Sequence, residues 1–187
     1  MYFGDWGLVK RPRMGYNGGR LWGRVGESGA VNPQTALEQV FGGAMLLGEF
    51  EHTIDDKGRI TVPAKFRGRL AAGTVVTKGI DPCLWLWPTD VWDELSEKIR
   101  KLPLTDPKAR NFGRQVFGGA SDAVPDKQGR VILPPYLREY ADIDNQAVIV
   151  GLYDHCEIWN PERWRELQES SDSDPEGRAA QFASLGI

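Results

Sequence analysis

Residues 55–67 read DDKGRITVPAKFR and residues 126–138 read DKQGRVILPPYLR. Five identities fall at one constant offset of 71: Asp55 with Asp126, Gly58 with Gly129, Arg59 with Arg130, Pro63 with Pro134 and Arg67 with Arg138. Apolar positions match at the same offset, Ile60 with Val131, Val62 with Leu133 and Phe66 with Leu137. The similarity continues downstream, where VVTKGIDPCLWLWP (75–88) is followed by VIVGLYDHCEIWNP (148–161), and Trp92 and Leu95 return as Trp164 and Leu167. A duplicated unit constrains the fold more than any composition does, because both copies must adopt one local structure and bury their apolar faces together.

Each copy has a physical reading. An alternating strand, MLLGEFEHTI from Met45 in the first copy, leads into a D-x-x-G-R turn whose glycine suits a left-handed backbone. A short strand follows, Arg59–Val62 or Arg130–Leu133. Proline then opens a short helix, near 63–70 and 134–140, because a residue without an N–H is tolerated there. Two further strands are expected near 74–80 and 84–87, and again near 147–152 and 156–159. An amphipathic helix closes each unit, Thr89–Lys101 with Thr89 as its N-cap, and Pro161 to about Gln168. Residues 103–106 read as a Pro-containing linker, with a helix from Pro107 to about Val116. The resulting class is α+β. The units span 49–94 and 120–164, with a linker and helix over 95–119 and a C-terminal helix and polar tail over 165–187. The acidic stretch 169–178 is expected to be frayed or disordered.

Residues 1–44 differ in character. They hold ten of the 22 glycines and show neither strand nor helix periodicity. Such a segment buries too little surface to offset its ordering entropy. The reading is a Gly-rich extension that need not fold, with Met45 as the natural start. The alternative is a faintly basic flexible arm that contacts DNA or a partner.

Several function classes are excluded by what the chain lacks. No run approaches the roughly 18 apolar residues of a membrane span, and no apolar core follows Lys10, Arg11 and Arg13 as in a secretory leader. Two cysteines, Cys83 and Cys156, fit a reducing cytoplasm and occupy equivalent positions as buried structural thiols. With only His52 and His155 as further ligands, no metal site is expected, and no cofactor is implied. Trp85, Trp87, Trp92, Trp159 and Trp164 read as packing residues. There is no P-loop, G-x-S-x-G or H-E-x-x-H pattern, so the chain is not read as an enzyme.

The paired D-x-x-G-R-[IV]-x-[LV]-P motifs, with the Cys-x4-Pro and Trp positions behind them, resemble the MraZ family over essentially all of 45–187. The resemblance implies two tandem AbrB/SpoVT-like swapped-hairpin half-barrel units with pseudo-twofold symmetry and flanking helices. It also implies a ring-shaped homo-oligomer in the cytoplasm, associated with the nucleoid, and no membrane. Such a ring binds direct repeats in double-stranded DNA upstream of its own division and cell-wall gene cluster, as a repressor. An AbrB-type antitoxin or a protein-interaction scaffold is the alternative, with the acidic tail as its partner-binding segment.

A net charge of −3 speaks weakly against nucleic acid, but phosphate binding depends on where the cations cluster. Lys57, Arg59, Lys65, Arg67 and Arg69 form an acid-free basic run in the first copy. The second copy offers Lys127, Arg130 and Arg138 among more acids. Arginine can pair bidentately with guanine, while lysine serves phosphate as a point charge. Asp55 and Asp126 are expected to accept turn amides and to hold Arg59 and Arg130 by charge. These ten residues are the candidate DNA contacts. The first copy is expected to supply most of the attraction, so that Arg59→Ala weakens binding more than Arg130→Ala.

Overall fold

The computed structural model describes residues 45–172 and 175–186; the expectations for residues 1–44 lie outside them. The first repeat contains β1 (Leu46–Thr53), β2 (Arg59–Thr61), a 3-10 turn (Ala64–Phe66) running into α1 (Arg67–Leu70), β3 (Thr74–Lys78), β4 (Leu84–Pro88) and α2 (Thr89–Arg100). After α3 (Pro107–Gly118) the series returns as β5 (Ser121–Ala123), β6 (Arg130–Ile132), α4 (Pro135–Ala141), β7 (Gln146–Tyr153), β8 (Cys156–Trp159) and α5 (Pro161–Asp172), followed by α6 (Pro175–Ser184). The class is α+β with antiparallel pairing throughout the sheets.

The two repeats exchange strands. A six-stranded sheet has the order β1-β7-β8-β4-β3-β5, and β2 pairs with β6 in a separate ribbon. Thus β1 of the first repeat lies on β7 of the second, in register from Leu46 opposite Tyr153 to Thr53 opposite Gln146. Reciprocally, β5 of the second repeat lies on β3 of the first. The β3–β4 and β7–β8 hairpins are local, and β4 meets β8 at the middle of the sheet. From either edge the order reads alike once the repeats are exchanged.

The period of two in these strands divides their side chains between two faces. Leu84, Leu86, Ala147, Ile149, Cys156 and Ile158 enter one buried cluster together with Ile60, Val62, Phe66, Val131, Leu133 and Leu137. Both repeats therefore own the same core. Each fully buried large apolar side chain in it contributes roughly 1.5–3 kcal/mol. Phe66 is completely buried and meets Phe50 edge-on, with ring centroids 5.3 Å apart. The opposite face carries Cys83, Val148 and Trp159, with Trp85, Val150 and Trp164 packed against them. There the Glu157 carboxylate accepts from the indole N–H of Trp85 at 3.2 Å and of Trp159 at 2.8 Å. Trp85 and Trp159 are thus packing positions with a polar anchor, whereas the buried indole nitrogens of Trp87 and Trp164 have no hydrogen-bond partner among the described residues.

Three local expectations need correction. Thr89 is not the N-cap of α2; Pro88 is, with no side-chain cap, and the Thr89 amide donates instead to the Gly73 carbonyl at 3.3 Å. The short helix of the first repeat opens as a 3-10 turn, whereas that of the second is helical from Pro135. The acidic stretch beyond Gln168 continues α5 to Asp172, and Pro175 opens α6. Proline at a first helical position favours such starts, and composition alone does not register them. No helix among the described residues is long and apolar enough to cross a membrane.

Candidate nucleic-acid interface

Asp55 closes its turn by local chemistry. Its Oδ1 accepts from the amides of Lys57 at 3.0 Å and Arg59 at 2.9 Å, while Oδ2 receives Arg59 Nε at 2.7 Å. Asp126 does the same, accepting from the amides of Gln128 and Arg130 at 2.9 and 3.0 Å. Its Oδ2 takes both Nε and Nη2 of Arg130, at 2.8 and 2.6 Å. Gly58 and Gly129 sit at φ +73° and +74°, the left-handed region that a side chain disfavours. Aspartate suits such a turn because its short carboxylate reaches amides two and four residues on.

The carboxylates respond as this geometry dictates. The Asp126 carboxyl is pulled down to about 2, chiefly by the hydrogen bonds from the Arg130 side chain and then by the Arg130 amide. Asp55 is also lowered, first by the amide of Arg59, with the Arg59 side chain contributing less. Arg130 donates two nitrogens to its aspartate where Arg59 donates one, which accounts for the order.

Strand exchange brings the two turns together. In the β2–β6 ribbon Arg59 pairs with Ile132, Ile60 with Val131 and Thr61 with Arg130. Ile60 and Val131 point into the core. Directly opposed residues share a face, so the other face presents Arg59, Thr61, Arg130 and Ile132 side by side. Arg130 Nη1 comes within 4.0 Å of Asp55 Oδ2, linking the two copies of the motif. Lys57 and Lys127 are exposed on the turns.

The remaining candidates divide. Arg67 and Arg138 lie at the base of the turns: Arg67 Nε donates to the Val62 carbonyl at 3.1 Å and Arg138 Nε to that of Leu133 at 3.3 Å. Lys65 and Arg69 are committed elsewhere. The Lys65 ammonium stands 4.9 Å from the centre of the Phe50 ring and 5.5 Å from that of Phe66. Arg69 donates to Asp90 on α2 at 2.8 Å. At the turns themselves the two copies are alike, each carrying one lysine and one arginine: Lys57 with Arg59, and Lys127 with Arg130.

Sequence reasoning missed Ile132, more than half exposed at 57% on the ribbon face. The signal was the alternation from the buried Val131, read along a three-residue strand too short to stand out. Gly58 and Gly129 were legible in the motif as turn-formers, but their contact with arginines of the opposite repeat was not. Cys83 and Cys156 are free and buried. Burial pushes both thiols up, Cys156 to about 12, and for Cys83 the charges of Glu157 and Asp81 add to the effect. Among the described residues no group of His, Cys, Asp and Glu could hold a metal ion.

A family model described as "MraZ protein, putative antitoxin-like" matches the chain twice in succession, over residues 45–115 and 116–183. The chain is 50% identical over 143 residues to "Transcriptional regulator MraZ" of Herpetosiphon aurantiacus, covering 76% of this chain and 100% of that protein. It is 45% identical over 141 residues to the protein of that name from Roseiflexus castenholzii, covering 75% and 99%. The Syntrophomonas wolfei protein of the same name is 45% identical over 143 residues, covering 76% and 100%.

Proposed function

The chain belongs to the MraZ family, and on that premise we propose that it is a transcriptional regulator binding double-stranded DNA through its paired D-x-x-G-R turns. The named relatives are regulators, not enzymes. One observation carries the assignment to these turns: Arg59 and Arg130, from different repeats, stand on one partly exposed ribbon face, each held by its own aspartate. An arginine fixed in this way loses less side-chain freedom when it meets a guanine edge or a phosphate. Lys57 and Lys127 flank the face as phosphate contacts.

The exchange of β1, β2, β5 and β6 between repeats supports reading the fold as two AbrB/SpoVT-like swapped-hairpin half-barrel units about a pseudo-twofold axis. The turns of one subunit are few, and the chain is acidic overall. A ring-shaped homo-oligomer presenting several identical faces to direct repeats would raise affinity through effective concentration. The natural target is the promoter of its own division and cell-wall gene cluster, at the nucleoid, as a repressor.

Fluorescence anisotropy with a DNA fragment from upstream of its own gene, across a salt series and beside Arg59→Ala, tests the reading. Tight, repeat-dependent binding lost in the variant is expected. Equal affinity for random DNA with oligomerisation intact would overturn it. The antitoxin or scaffold reading has one supporting observation, the exposed Phe182 and Leu185 at the C-terminal end. Deleting residues 169–187 separates the two, because only the scaffold needs that segment.

A further inference from the structure

We propose that Arg67 and Arg138 are reciprocal positioning residues: each repeat's arginine fixes the D-x-x-G-R turn of the other repeat and does not itself touch DNA. The inference rests on the paired-turn reading of the interface, and its geometry is independent of any nucleic acid. A Cβ placed on Gly129 would lie 2.5 Å from Arg67 Nε and 2.7 Å from its Cδ, so the arginine stem lies flat on the bare face of that glycine. On the other side, a Cβ on Gly58 would lie 3.3 Å from Arg138 Nε and 3.0 Å from the Leu133 carbonyl oxygen. Each glycine is buried although it belongs to a surface turn.

The backbone closes the same circuit. The Val62 amide donates to the Gly129 carbonyl at 2.8 Å, and the Val62 carbonyl accepts from Arg67 Nε at 3.1 Å. The Leu133 amide donates to the Gly58 carbonyl at 2.8 Å, and the Leu133 carbonyl accepts from Arg138 Nε at 3.3 Å. Val62 and Leu133 thus hand the opposite turn's glycine to their own repeat's arginine. The glycine is required twice, for its positive φ and for the space the arginine fills. Unlike Arg59 and Arg130, neither arginine belongs to the β2–β6 ribbon whose face carries the paired turns. Here the Nε is spent on a backbone carbonyl, and the stem covers a neighbouring turn.

Amide hydrogen exchange of the full chain without DNA, on Arg67→Met and Arg138→Met, tests the crossing. Arg67→Met is expected to speed exchange at Gln128, Gly129 and Arg130 by about tenfold or more, leaving Lys57 to Arg59 as they were. Arg138→Met should do the converse. In DNA titrations both variants should weaken binding several-fold with the salt slope unchanged, whereas losing a phosphate contact lowers that slope by about one unit. Faster exchange in the variant's own turn, or a lower slope with exchange unaltered, overturns the proposal. Should a methionine variant fail to fold, Arg67→Lys and Arg138→Lys retain the charge and stem, and the same crossed pattern is expected at smaller amplitude. A crossed exchange pattern in a protein with no DNA preference would retain the brace and remove the DNA reading.

Discussion

The Nη1 of Arg130 lies 4.0 Å from Oδ2 of Asp55, an aspartate of the other repeat, while its Nε and Nη2 hold Asp126. Among the described residues, Arg59 pairs through its side chain with Asp55 alone, by Nε at 2.7 Å. The two arginines are therefore equally placed on the ribbon and unequally restrained. Arg59→Ala and Arg130→Ala are each expected to weaken DNA binding by roughly 5- to 150-fold, the range that about 1–3 kcal/mol per base-reading arginine implies. Anisotropy titrations of both variants check this. A loss confined to Arg59→Ala would restore the asymmetry that counting basic residues suggests.

Lys65→Ala and Arg69→Ala should leave the salt slope of DNA binding within a few tenths of the parent. Their charges are engaged by aromatic rings and by Asp90. Arg69→Ala should instead cost up to about 1 kcal/mol of stability, as for a partly exposed ion pair. Urea unfolding beside the salt series separates the two effects.

These two residues also mark where the sequence stopped being informative. Strands, turns and helices were legible from the repeat because periodicity, the glycine and the prolines act locally. The pairing of β1 with β7 was not, since alternation says which face a residue takes and nothing about which strand lies beside it. Likewise a run of lysines and arginines predicts a basic patch, yet Arg69 points to an aspartate 21 positions on. The aspartate–arginine pairs within each turn were legible because both partners sit inside one motif.

Protonation should loosen the turns only in strong acid. The folded Asp126 carboxyl is depressed from the usual 3.8 to about 2. A depressed carboxyl contributes stability that is complete above its unfolded value and is lost as pH falls through the folded one. The turn is thus expected to be intact at pH 4–5 and to loosen from about pH 3.8 toward about 2. Carbon-detected NMR titration of the side-chain carboxyls is the measurement, and Arg130→Gln should move the Asp126 inflection upward.

Neither thiol should react in the native protein. Cys83 and Cys156 are completely buried and burial raises both, so little thiolate exists at pH 8. A disulfide reagent is expected to titrate no thiol before unfolding and two per chain in denaturant. Rapid native labelling at either site would contradict the packing around β4 and β8.

Phe66→Ala should destabilise the protein by about 3–5 kcal/mol, the usual cost of deleting a fully buried aromatic. Because Phe66 lies in the core that both repeats share, unfolding should remain one transition. Separate melting of the two repeats in denaturant would argue against a common core.

Strand exchange also has a consequence in time. Leu46 is completely buried in the finished molecule, opposite Tyr153. A ribosome adding ~5–20 residues per second delivers β7 on the order of 5–20 s after β1. Throughout that interval β1 of the nascent first repeat lacks its sheet neighbour, and Leu46 lacks the burial it has in the finished fold. The architecture that sets two arginines side by side thus makes closure of the fold wait until β7 has been translated, and leaves the growing chain open to chaperones meanwhile.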